Sequence, residues 1–168
     1  MLQSRVTFGT ILKGLDPLGK TFAEDQFIRT SAGAQSYRSF IGNRLVLANS
    51  FRLGLGFPLG TENRLPPDDL FEMGGASTVR GLPDGGVQTP HNNVRKNSES
   101  GGNHTAVFNV ELRGRLWWWI WAVLFYDAGV LVDSLDEVGD EFALRQSLGF
   151  GVRWLILDQI PVRIDWAF

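Results

Sequence analysis

The chain has 168 residues, enough for one ordinary domain. It contains no Cys, which excludes a disulfide framework and any thiolate metal site. A net charge of -2 with no basic run gives no reason to expect nucleic acid or an anionic membrane surface as partner.

No stretch of about 18 apolar residues is present, so no transmembrane helix is encoded. Period-two alternation dominates instead and predicts seven strands, at about 3–14, 26–40, 43–57, 104–116, 118–132, 143–157 and 160–168. Several are long enough to cross a hydrocarbon layer, which takes about 9–11 residues of tilted strand. Met1–Arg5 enters the first strand directly, without the apolar segment of a signal peptide. A secreted barrel needs such a signal, so either the barrel reading fails or sequence upstream of Met1 is expected.

In the third strand Leu45, Leu47, Phe51, Leu53, Leu55 and Phe57 share one face, opposite Ala48, Ser50, Arg52, Gly54 and Gly56. Asn49 interrupts the apolar face. In the sixth strand Leu144, Leu148, Phe150, Val152 and Trp154 oppose Arg145, Ser147, Gly149, Gly151 and Arg153. In the seventh, Val162, Ile164, Trp166 and Phe168 oppose Arg163, Asp165 and Ala167. The second face thus mixes glycine with charge, as a polar lumen would, while the apolar face meets lipid.

The connections alternate in length. Links at about 15–25, 58–103 and 133–142 are long, whereas Ile41-Gly42, Trp117 and Asp158-Gln159 are short. Outer-membrane barrels show this segregation, with long extracellular loops and short periplasmic turns. The run Trp117-Trp118-Trp119-Ile120-Trp121 lies at one short turn. It reads as an aromatic girdle at the membrane interface, with a stacking platform for sugars or bases as the other reading. His91 and His104 stand far apart and without partners, which is poor material for a metal or catalytic site.

The fold class expected is all-β: an antiparallel transmembrane β-barrel, present as an incomplete wall of about seven strands across residues 1–168. Single-chain bacterial barrels have even strand numbers, so an odd count predicts a fragment. A chain starting on the periplasmic side would end with Phe168 at the outer rim.

The 58–103 link is too long to be idle. It holds LPPDDLFEMGGASTVRGL at 65–82. With FNVELRGRL at 108–116, LFYDAGVLVD at 124–133 and LGFGVRWLILDQIPVRIDWAF at 148–168, this ordered set resembles the bacterial surface antigen family of outer-membrane assembly barrels (BamA/TamA-like). The resemblance covers nearly the whole chain and aligns it with strands nine to fifteen of sixteen. Leu82, where the family usually carries an aromatic residue, and Asp158-Gln159-Ile160-Pro161, where it usually has a Pro-Gly type turn, depart from the pattern.

The resemblance implies that the long loop folds back into the barrel. Its anchor would be Arg80, flanked by Val79 and Gly81, and the lumen acids pairing with it would be Glu111 and Asp127. Parity is compatible, since Glu111 shares its face with Asn109, Arg113 and Arg115, and Asp127 with Gly129. Gly74 and Gly75 would let the loop turn or approach the wall closely. The bland reading of Arg80 is a solvated loop charge.

The function so implied is insertion, assembly or translocation of β-rich outer-membrane and secreted proteins, without catalysis, cofactor or metal. Its partners would be the outer-membrane bilayer, barrel or autotransporter clients, and accessory periplasmic or inner-membrane proteins. A passive porin or surface antigen without assembly role is the alternative, and a soluble sandwich using the Trp cluster or the histidines is the third.

Overall fold

The computed structural model describes residues 2–13, 26–59, 63–90, 100–139, 144–156 and 160–168. Seven strands form one sheet: β1 Leu2–Lys13, β2 Phe27–Phe40, β3 Leu45–Pro58, β4 His104–Arg115, β5 Ile120–Val132, β6 Leu144–Ile156 and β7 Ile160–Ala167. Spatial order follows chain order, and every neighbouring pair is antiparallel. β1 and β7 are the edges. Two 3-10 turns, Pro67–Asp69 and Leu135–Gly139, lie in the connections. Among the described residues no helix is long and apolar enough to cross a membrane.

The two short turns that are described take four residues each, more than alternation alone suggests. Ile41–Arg44 reverses the chain through successive left-handed residues, Ile41, Gly42 and Asn43, with Arg44 N–H donating to the Ile41 carbonyl at 3.1 Å. Leu116–Trp119 replaces the single-residue link expected at Trp117, because one residue cannot reverse an antiparallel pair. Its Leu116 and Trp117 N–H groups both donate to the Ile120 carbonyl, at 3.0 and 3.1 Å. The expected links at Asp158-Gln159 and at about 15–25 fall outside the described residues.

The two faces meet opposite surroundings. On the outer face Phe51, Phe57, Phe108, Leu112, Leu124, Leu148, Phe150, Trp154, Ile164 and Trp166 are exposed, Leu148 by 63 %. Phe150 stacks on its cross-strand partner Trp166 at 5.5 Å between ring centroids. Polar groups on this face pair with each other: Tyr126 donates its hydroxyl to Gln146 at 2.6 Å, and Asn49 Nδ2 donates to the Ser36 hydroxyl directly opposite at 3.3 Å. The latter accounts for the apparent blemish at Asn49, since an amide facing hydrocarbon needs a partner.

The inner face is covered by the long connection between β3 and β4. Phe71, Met73, Val79 and Val87 of the loop form an apolar cluster with Val107 of β4 and Leu131 of β5. A second cluster joins Leu65 and Leu70 to Phe27 at the start of β2. The glycines of this face have a different role from the water-lined lumen that alternation suggests. A Cβ at Gly54 would overlap the Phe71 ring, one at Gly56 the Leu65 side chain, and one at Gly129 the Met73 sulfur. The bare backbone provides seats for loop side chains.

Candidate functional site

The loop is a structured unit. Phe71 and Gly102 exchange backbone hydrogen bonds at 2.9 Å, and Val87 N–H donates to the Met73 carbonyl at 3.1 Å. Between these pairings the chain makes a tight excursion from Gly74 to Leu82. Gly74 and Gly75 have φ of 116° and 85°, a region that disfavours side chains. Their close neighbours are Pro83 and Asp84 of the same loop, so they shape the turn and do not approach the wall. Thr78 closes the turn, its hydroxyl accepting from Gly74 N–H at 2.8 Å and donating to the Gly74 carbonyl at 2.5 Å.

This turn directs Arg80 at β4 and β5. Its Nε and Nη2 donate to the two carboxylate oxygens of Asp127, each at 2.6 Å, and its Nη1 donates to Glu111 Oε1 at 2.6 Å. The Arg80 backbone N–H adds a bond to Asp127 Oδ2 at 3.1 Å. Below the guanidinium lies the Phe125 ring, 3.5 Å from its carbon to the ring centroid. Arg80 is 5 % exposed and Asp127 0 %. Burial disfavours the Arg80 cation, but hydrogen bonds and charge from Asp127, then from Glu111, outweigh it and raise its pKa above the ordinary guanidinium value. A planar fork is required for this bidentate contact plus a lateral one.

The remaining expected residues flank this contact. Val79 is fully buried in the loop's apolar cluster. Gly81, at φ 85°, lies against β7, where a Cβ would come 3.0 Å from that of Ala167. Leu82, in place of the aromatic residue, packs at the edge of the apolar cluster, and its carbonyl accepts from Gly75 N–H at 3.0 Å.

Several participants escape sequence reasoning. Asp165 of β7 is a third carboxylate, 3.4 Å from Arg80 Nη1, bonded to Arg153 and to Arg163 Nε at 2.6 Å. Glu111 also binds Arg113 at 2.7 Å. Three successive loop carbonyls accept from wall side chains: Ala76 from Arg163 at 3.1 Å, Ser77 from Arg52, and Thr78 from Asn109 at 2.6 Å. Asn109 in turn donates to Asp127 Oδ1 at 2.8 Å, and Arg52 to Asn109 Oδ1 at 3.0 Å. Strand parity already puts Arg52, Asn109, Arg163 and Asp165 on the inner face. Their convergence on one loop segment is set by sheet register and carries no local signal.

Chemically the arrangement binds and holds. It has no nucleophile beside a base, and among the described residues no group of three His, Asp or Glu side chains is placed to hold a metal ion. His104 is buried at the start of β4 with its ring 5.4 Å from Phe57, and His91 lies outside the described residues.

A family model, the Omp85 superfamily domain, matches residues 7–168. No curated protein matches the chain in sequence. Among solved structures, the crystal structure of BamA from Haemophilus ducreyi lacking POTRA domains 1–3 superposes with a TM-score of 0.75 at 17 % identity. That match covers 99 % of this chain and 35 % of the BamA chain, so the chain spans about a third of that protein's length. The BamA likeness carries the fold, an antiparallel barrel wall, and the family match carries kinship: this chain belongs to the Omp85 superfamily, and its place is the bacterial outer membrane.

Proposed function

We propose that residues 1–168 form part of the C-terminal wall of an outer-membrane barrel that inserts, assembles or translocates β-rich client proteins, and that Arg80 anchors its inward loop. The work is non-covalent: backbone pairing with a client strand and disturbance of the surrounding bilayer. The observation that carries this reading is the seating of the loop, in which Arg80 bridges Asp127 and Glu111 at 2.6 Å while three neighbouring carbonyls are held by the wall. A passive pore does not need a Val79-Arg80-Gly81 loop anchored to acids on successive strands. In this reading the clients are barrel or autotransporter chains, and accessory periplasmic or inner-membrane proteins deliver them.

The test is Arg80→Ala in the full-length protein, in cells depleted of the wild type. Assembly of outer-membrane clients should fall, and residues 74–81 should become cleavable by added protease. A loop that stays protected in Arg80→Ala would sink the anchoring role, and normal client assembly with a cleavable loop would show that assembly does not depend on the anchor. Normal assembly in cells lacking the protein altogether would sink the assembly role and leave the porin reading, for which single-channel conductance is the direct measurement.

A further inference from the structure

Folding gathers arginines that are dispersed in sequence at the rim carrying the short turns. The turns Ile41–Arg44 and Leu116–Trp119 lie side by side, since Arg115 N–H donates to the Arg44 carbonyl at 2.8 Å and Leu45 pairs with Gly114. Arg38, Arg44 and Arg115 are exposed there, Arg115 as the last residue of the Glu111 face where the strand meets its turn, and none forms an ion pair among the described residues. Two of them stand against aromatic rings, Arg38 at 5.3 Å from Phe40 and Arg115 at 5.9 Å from Trp121. Phe40, Ile41, Leu116, Trp117, Trp118 and Trp119 are exposed on the same rim, Trp118 by 83 %. No Asp or Glu occurs between residues 36 and 48 or between 112 and 123. The third short link carries Asp158 in sequence and lies outside the described residues. At the opposite end of the sheet the connections carry Asp68, Asp69, Glu72, Asp133, Asp136 and Glu137 beside Arg64 and Arg80, so acids outnumber bases there, whereas the two described short turns carry no acid.

We propose that this rim binds the headgroups of anionic phospholipids in the leaflet on the short-turn side. The inference rests on the reading of the sheet as a membrane wall. Indole rings seat at the boundary between hydrocarbon and headgroups whatever the lipid's charge. The guanidiniums add the selectivity, because a planar fork binds phosphate oxygens bidentately and none of the three has an acidic partner among the described residues. The exposed apolar tips, Ile41 and Leu116, favour a lipid boundary over an acidic soluble partner, which would leave them in water. Each arginine near an anionic surface is worth about a fivefold preference, so three that are partly solvated should give about tenfold.

The experiment reconstitutes the full-length protein in vesicles of phosphatidylcholine and phosphatidylglycerol, with bromine on the acyl chains of one lipid or the other at equal mole fraction. The tryptophan fluorescence lost on Trp118→Phe reports the rim. Its quenching should favour brominated phosphatidylglycerol by about tenfold in local occupancy. Added salt should shrink that preference without any substitution. Arg38→Gln, Arg44→Gln and Arg115→Gln combined should abolish the preference while leaving quenching by phosphatidylcholine. Arg44→Gln alone should weaken it, which covers a triple variant that fails to fold. Equal quenching by both lipids in the unaltered protein, or a preference that survives the three substitutions, overturns the proposal. Quenching of Trp118 by neither lipid also overturns it and assigns the rim to a protein partner. The outer-face residues Trp154 and Trp166 provide the separate check: if brominated lipid fails to quench them, the wall reading itself is lost.

Discussion

Arg80 engages nearly all the N–H donors of its guanidinium, and its partners are not equivalent. Asp127 takes two of them and is fully buried, Glu111 takes one at Oε1 while its Oε2 binds Arg113, and Asp165 stands at 3.4 Å with Arg153 and Arg163 as its main partners. Removing one member of a buried ion network leaves the others unpaired, at a cost of about 3–5 kcal/mol. Asp127→Asn should therefore free the loop nearly as far as Arg80→Ala, Glu111→Gln less, and Asp165→Asn least, with protease sensitivity of residues 74–81 as the measurement. Arg80→Ala combined with Asp127→Asn should fall well short of the sum of the singles, as expected for members of one network. Strict additivity would show that the two act independently. Arg80→Lys should restore only part of the protection, because an ammonium cannot bridge Asp127 bidentately and still reach Glu111.

At the scale of elements, the loop is held by shape as well as by charge. Gly54 and Gly129 each have a loop side chain where their own would be: Phe71 over one, Met73 and Val79 over the other. Gly54→Val and Gly129→Val should unseat the loop at a cost of about 1–3 kcal/mol each, the range for overpacking. The strands should remain, which circular dichroism with limited proteolysis of the loop would separate. If the loop stays protected in both variants, packing on the glycines contributes little.

This is also where sequence legibility ends. The strand pattern is readable because period-two alternation spans whole elements, and parity alone places Arg153, Arg163 and Asp165 on one face. The glycines of the inner face mislead for a physical reason: an absent side chain looks the same whether water or another chain segment fills the space. Asn49 misleads likewise, since its partner Ser36 belongs to a different strand and is brought opposite only by register. Arg80 was legible through motif resemblance, whereas Arg52 and Asn109, which hold the carbonyls beside it, were not. The three arginines of the short-turn rim likewise form no run in sequence.

For the molecule as a whole, the sheet ends on β1 and β7, each with one side paired and, among the described residues, no strand on the other. Lipid offers no hydrogen bonds to such edges, and water leaves them open to intermolecular pairing. Residues 1–168 expressed alone should aggregate and should not give a folded band that shifts on heating in gel electrophoresis. A monomeric, protease-resistant species in detergent would show that the edges find partners within the chain.

The carbonyls of Ala76, Ser77 and Thr78 accept from donors on β7, β3 and β4 respectively. Those strands are far apart in sequence, and the donor on β7 comes last in the chain. The loop therefore cannot complete its contacts until β7 has been laid beside β6, although the loop itself is synthesised long before. Docking becomes a late event that reports closure of this part of the wall. During refolding of the full-length protein, protection of residues 74–81 should appear after strand formation and never ahead of it, and Arg163→Gln should delay that protection more than it delays the strands. Protection that precedes sheet formation would reverse this order and make the loop a template for the wall.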